Sequence, residues 1–403
     1  MALFAVLHAT SNPWISSRQG RPQHTHAVQQ QRCCHYSHTA GQRGLATTVC
    51  RSASVQSPSI SLSKDSTLTS FCQQLDSILA DASGEGSNAG SNLGSNAEKL
   101  AVQLAEAARA QGLVKAFGRG LQVPKRIYTI DELRLNKVEP EKLLSPTDDS
   151  LNYVRNVAQG AAAAGLAAVA YFSGFDGGKV FGTLLGASFL LAADQVANMG
   201  GGEALIVDTL GRVIRPAYQQ RVTLHEAGHF LIAYLVGLLP RDYTMSSLDA
   251  FLRYRALNVQ AGCHFCDGGF EGEVAAGRLS SSSLDRFSCV ALAGVVTEYL
   301  RFGQAEGGVG DVAQLDQLLR ALQFTQKKAD GQVRWAVLNV AALLRRHADL
   351  HDKLAAAMAA GASVGSCVAL IEKDLAGKAE LLAAEAGSVS MESPLTSTAT
   401  SSE

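Results

Sequence analysis

Residues Val222–Pro240 read VTLHEAGHFLIAYLVGLLP, and this stretch decides what the chain can be. Apolar residues at Leu224, Ala227, Leu231, Tyr234, Leu235 and Leu238 recur at helical spacing, with Gly237 and Pro240 as stop signals. Inside the helix stands His225-Glu226-Ala227-Gly228-His229, an H-E-x-x-H sequence. His225 and His229 are four residues apart, so their rings leave the same helix face and can share one ion. Glu226, next to the first of them, can take a proton from a water activated there. The plain alternative is a helix with two histidines beside a core. The apolar surroundings weigh against it, because titratable groups set in such a helix need partners.

A zinc site of this kind uses a third protein ligand and leaves a fourth position open. Downstream acids that could serve are Asp285, Glu298, Glu306, Asp311 and Asp316. Two stretches together, VTLHEAGHFLIAYLVG and Ala291–Asp316 (ALAGVVTEYLRFGQAEGGVGDVAQLD), resemble the peptidase domain of FtsH-type zinc metallopeptidases. The resemblance covers roughly residues 210–375. It implies a mainly α fold, a helical zincin-type peptidase domain with a minor β-element. It also implies Zn²⁺ as cofactor, held by His225, His229 and Asp311, with Glu226 as catalytic base and a polypeptide as substrate. Asp311 is the position that matches the family's ligand, an aspartate opening a helix after a glycine-containing loop, here Gly307, Gly308 and Gly310. Glu298 could orient a ligand histidine or form a helix-surface ion pair, and the sequence leaves both open.

One departure is large. The ATPase module of that family is missing: the nearest phosphate-loop string, Ser173–Val180, lacks the first Gly and the Ser/Thr after Lys179. The chain thus resembles the plastid FtsH-like proteins that lack the ATPase. Such a peptidase must act on loose segments or with a separate ATPase or FtsH-type partner. The same gap motivates the alternative function, a non-proteolytic chaperone-like or assembly factor that keeps the peptidase fold.

Outward from this stretch, the first acid in the chain is Asp65, and residues 1–54 are Ser-rich with Arg18, Arg21, Arg32, Arg43 and Arg51. That is the composition of an organelle transit peptide, chloroplast ahead of mitochondrion because the Ser/Thr enrichment continues so far. With the apolar segment below, it places the protein in the thylakoid or inner envelope membrane. Residues 55–155 read as a helical and low-complexity N-terminal region. It contains helices over Leu68–Leu79 and Ala97–Ala110 and a flexible linker over Ser83–Asn96.

Residues 156–198 form an apolar hairpin. Asn156–Phe175 carries no charge over twenty residues, the length of a membrane span, while the more apolar Val180–Ala193 is short for one at fourteen. One or two transmembrane helices packed through small residues, or two buried helices of a soluble domain, both fit. Ala204–Val207 and Arg212–Ile214 read as a β-hairpin. With Asp242–Met245 they supply the minor β-element, an edge to which an extended substrate could add. Residues 203–386 make the peptidase domain, and 387–403 a Ser/Thr-rich disordered tail.

The remaining signals exclude more than they assign. A net charge of −1 over 403 residues offers no footprint for nucleic acid. Eight scattered cysteines are no disulfide framework. Cys263-His264-Phe265-Cys266 reads as plain loop cysteines ahead of a redox pair or a metal site, and His347 and His351 as a solvated helix face.

Overall fold

The computed structural model describes residues 67–83, 91–120, 122–144, 151–198, 200–257 and 260–389. The transit-peptide segment, Cys33, Cys34, Cys50, and residues 84–90 of the linker lie outside the described residues, as does the tail beyond Val389. The chain is mainly helical. In order come α1 (Leu68–Ser83), α2 (Ser91–Ala110), α3 (Ile130–Leu135), α4 (Pro140–Leu143), α5 (Asn152–Phe172), α6 (Gly177–Ala197), α7 (Gly201–Ile214) and α8 (Pro216–Val236). They are followed by β1 (Pro240–Thr244), α9 (Ser247–Tyr254), β2 (Gly262–Phe265), α10 (Gly268–Ala275), α11 (Ser281–Ala291) and α12 (Ala293–Phe302). The last are α13 (Val309–Ala321), α14 (Gln326–Arg346), α15 (Ala348–Ala359) and α16 (Val364–Val389).

Helix α8 is the axis of the molecule. Pro216 starts it, where a missing N–H is harmless, and Gly237 ends it at φ 87°, a left-handed cap that suits glycine. Every residue from Leu224 to Val236 is buried, with α11, α12, α14 and α15 packed around it. A helix enclosed on all sides needs no polar face, which is why its apolar stripe widens into a continuous run.

The N-terminal helices share this core. Phe71, Leu75 and Leu104 belong to the same buried cluster as Phe230 and Trp335. The Glu372 carboxylate on α16 accepts from the Lys115 and Ala116 backbone N–H groups at 2.7 and 3.0 Å, and from the Tyr234 hydroxyl at 2.6 Å. Val123 is strapped to α14, its N–H donating to Asn339 Oδ1 at 3.0 Å while its carbonyl accepts from Trp335 Nε1 at 3.2 Å.

Four sequence expectations are corrected. Ala204–Val207 and Arg212–Ile214 are not a β-hairpin but parts of α7. The Asp194 carboxylate caps that helix by accepting from Gly202 N and Glu203 N, each at 3.1 Å, and a buried face at Val207, Asp208 and Gly211 outweighs the β-branched bias of the short runs. The minor sheet instead pairs β1 antiparallel with β2, Tyr243 opposite Cys263. Residues 91–96 of the expected linker open α2. His351 is buried rather than solvated, its ring nitrogen 2.9 Å from the Leu224 carbonyl oxygen.

The apolar segment is a pair of 21-residue helices, α5 and α6. They are not buried in a core: Val154 is buried on α5, and no residue of α6 is. Among the described residues α6 is long and apolar enough to cross a membrane, and none of its apolar stretch is buried. Four of its glycines make no close approach: a Cβ added at Gly160, Gly165, Gly182 or Gly186 would meet nothing within 4 Å.

Candidate metal centre

His225 and His229 leave α8 one turn apart, with ring centroids 4.8 Å from each other. Each ring is held from behind. His225 Nδ1 lies 2.7 Å from Glu298 Oε1, and His229 Nδ1 lies 2.8 Å from the Val290 carbonyl oxygen. Neither a carboxylate nor a carbonyl can donate, so both Nδ1 atoms carry the proton. Both Nε2 atoms face the Asp311 carboxylate. Its Oδ2 is 3.2 Å from His225 Nε2 and 3.3 Å from His229 Nε2. That carboxylate cannot donate either, so the space between the three takes a cation, whether a second proton on a ring or a metal ion. Ligands at ordinary zinc distances in a tetrahedron are about 3.3–3.5 Å apart, close to the 3.2 and 3.3 Å found here. His225, His229 and Asp311 thus form a buried group able to hold a metal ion, their ligand atoms all within 4.8 Å of one another.

Asp311 reaches this point from far along the chain by being in the first turn of α13, whose N-terminus favours an anion. Gly308 caps that helix at φ 82°, a conformation glycine adopts freely. Burial works against the Asp311 charge, but His229 and His225 outweigh it and hold the carboxyl far below its usual range. Burial likewise opposes a charge on His225, and Asp311 and Glu298 overcome it, raising the ring's affinity for a proton or any other cation.

Glu226 behaves differently. Its carboxyl is pushed up chiefly by burial, with His229 and His225 pulling the other way. Its Oε2 is buried with no hydrogen-bond partner, an orphan acceptor beside the three ligands. A carboxylate so placed suits a base waiting for a proton.

Glu298, left open by the sequence, is a buried support of the site and no surface ion pair. It is 2% exposed and gathers four donors: His225 Nδ1, Arg221 Nη1 at 2.9 Å, and the Glu306 and Gly307 N–H groups at 2.9 and 3.0 Å. Against the cost of burial, these donors hold its carboxyl down at about 2. The sequence reading missed Arg221. Its guanidinium also reaches Glu306 Oε1 at 3.1 Å and the Gln304 carbonyl at 3.2 Å, and lies 4.3 Å over the Phe302 ring. It therefore ties α8 to the loop that delivers Asp311. Its place four residues before His225, on the same helix face, was the available signal. Replacing Arg221 by Ala is expected to weaken zinc binding about 10–100-fold, the usual scale for such supports, measured by competition with a chelator. Unchanged affinity would remove the clamp from the site.

Cys263 lies on β2, not in a loop, and its thiol donates to the Glu226 carbonyl at 3.3 Å. Cys263 and Cys266 are both free thiols, and burial pushes both up, away from the thiolate that a redox couple uses. Neither cysteine belongs to the metal-ligating group.

Comparison with known proteins gives no match to this chain among family models, curated proteins or solved structures.

Proposed function

We propose that this protein is a zinc-dependent metalloendopeptidase without its own ATPase, anchored in a plastid membrane by the α5–α6 hairpin. The observation that carries this reading is the convergence of two histidine Nε2 atoms and the Asp311 carboxylate near the orphaned Glu226 oxygen. A bound Zn²⁺ would lower the pKa of a water toward 7 and polarise a carbonyl. Glu226 takes the proton of the attacking water and returns it to the departing amine nitrogen. Glu298 keeps the His225 proton on Nδ1, so that Nε2 stays a ligand. The Val290 carbonyl does the same for His229. The β1–β2 sheet runs beside α8 at Glu226, and an extended peptide could join its edge, which supports a polypeptide substrate. No complete phosphate-loop string stands in the sequence, so loose segments or a partner ATPase would supply the substrate.

The test is metal stoichiometry on the full-length protein. About one zinc per chain is expected, with Asp311→Ala reduced to well under half of that while the circular dichroism spectrum is retained. A folded wild type that takes up no zinc when zinc is offered would sink the reading.

A further inference from the structure

Two apolar surfaces in this molecule differ in kind. On α6, Phe181, Leu184, Leu185, Phe189, Leu190, Leu191 and Val196 are all exposed. At 100° per residue they spread around the whole circumference. A protein groove covers one face of a helix; covering every face takes either a ring of packed helices, as around α8, or a bilayer. The length agrees: 21 residues rise about 31 Å, the thickness of the hydrocarbon core.

Helix α7, joined to it, is two-sided. Ile206, Leu210, Val213 and Ile214, at i, i+4, i+7 and i+8, are 58%, 38%, 79% and 46% exposed. They fall within an arc of about 100°. Val207, Asp208 and Gly211 occupy the adjoining arc, its centre about 120° round from the stripe's, and are buried against the protein. An apolar stripe of that width normally faces a core. Here the core side is already taken, so the stripe is a second apolar face.

We infer that α7 lies in the plane of the bilayer surface, with Ile206, Leu210, Val213 and Ile214 sunk against lipid at the root of the hairpin. The inference rests on the membrane reading of α5 and α6, and the bonds at the N-terminal end of α7 favour it. Asp194 on α6 caps α7. Arg155 Nε on α5 pairs with Glu203 Oε1 on α7 at 2.9 Å. Both legs of the hairpin are therefore tied to the first turn of α7, which fixes that helix at the level where the legs leave the membrane.

The buried side of α7 is bonded to the catalytic part. The buried Asp208 carboxylate accepts from the Tyr218 hydroxyl of α8 at 2.8 Å, from Arg212 Nε at 3.2 Å and from Ser247 N of α9 at 2.9 Å. Helix α8 starts two residues after α7 ends, and Glu226 stands ten residues along it, about 15 Å of helix. With the two connecting residues added, the metal centre is held within about 22 Å of the end of α7 whatever the tilt of α8. A bond could be cut only in a segment that comes within about seven extended residues of the lipid surface.

Tryptophan quenching tests this on the full-length chain, reconstituted in phosphatidylcholine vesicles with acyl chains brominated at carbons 6 and 7. Val213→Trp and Leu190→Trp are each compared with the wild type, and circular dichroism checks the fold. The added fluorescence of Val213→Trp is expected to fall at least twofold on bromination, and that of Leu190→Trp as well. Quenching of Leu190→Trp alone would overturn the placement of α7, leaving its face to water or a second copy of the chain, while the hairpin still spans. Quenching of neither would overturn the placement together with the membrane reading. Zinc enters neither measurement, so a failure of the peptidase reading would leave the quenching unchanged.

Discussion

Replacing Glu226 by Gln is expected to lower the hydrolysis of an unfolded polypeptide by about 10²–10⁴-fold, the usual contribution of a general base, with zinc content unchanged. Gln keeps the shape of Glu226 and cannot accept the proton. Glu226 is not among the three converging ligands, so the metal has no reason to leave. The fold should not suffer either. Burial already raises the Glu226 carboxyl, so a neutral amide is no worse a tenant there than a carboxylate. Activity, zinc and melting temperature measured together separate the readings. Full activity in the variant would remove Glu226 from the mechanism. A variant that restores a loss-of-function strain as well as the wild type does would favour the non-proteolytic assembly factor. Failure to restore, at normal protein level, would count against that factor.

The second large effect is steric. Gly228 on α8 and Gly294 on α12 bring the two backbones into close approach. A Cβ on Gly294 would overlap the His225 ring, and a Cβ on Gly228 would overlap Thr297 Oγ1, with the Ala293 carbonyl at 3.3 Å behind it. Gly294→Ala is expected to expel the ring from its place between Glu298 and Asp311. Zinc should be lost and stability should fall by about 1–3 kcal/mol, the scale of overpacking in a filled core. Gly228→Ala should destabilise by a similar amount, but its clash is with a side chain that can be shortened. Thr297 Oγ1 is buried and unpartnered, so Thr297→Ala removes the obstacle without breaking a hydrogen bond. Combined with Gly228→Ala it should restore part of the lost stability, and combined with Gly294→Ala it should restore none. Chemical denaturation of the four variants decides this. Equal rescue of both glycine variants would show that the helices yield at this crossing rather than interlock.

These two effects differ in how far the sequence foretells them. The His225–His229 pair and Glu226 are legible because helix geometry is local: residues four apart share a face whatever the rest of the chain does. Gly237 as the stop of α8, and the mainly helical course beyond it, are legible for the same reason. Asp311 needed a resemblance, since 82 residues separate it from His229 and no periodicity connects them. The close approach at Gly228 and Gly294 was invisible, because a glycine in a helix reads only as a weak point until its neighbour is known.

What the sequence by itself determined, then, was the helix, the His225–His229 pair and Glu226 on it, and an apolar segment of spanning length. The tertiary structure decided everything that depends on a partner distant in the chain. Glu298 became a buried support because four donors from α8 and the 304–308 loop surround it. His351 turned inward to the Leu224 carbonyl. Residues 204–214, read as strands from their short β-branched runs, became a helix because one face had a core to meet and Asp194 stood ready to cap it. Propensity and spacing differ by tenths of a kcal/mol per residue, and a buried face or a capped end outweighs them, so the choice falls to contacts that only the folded chain supplies.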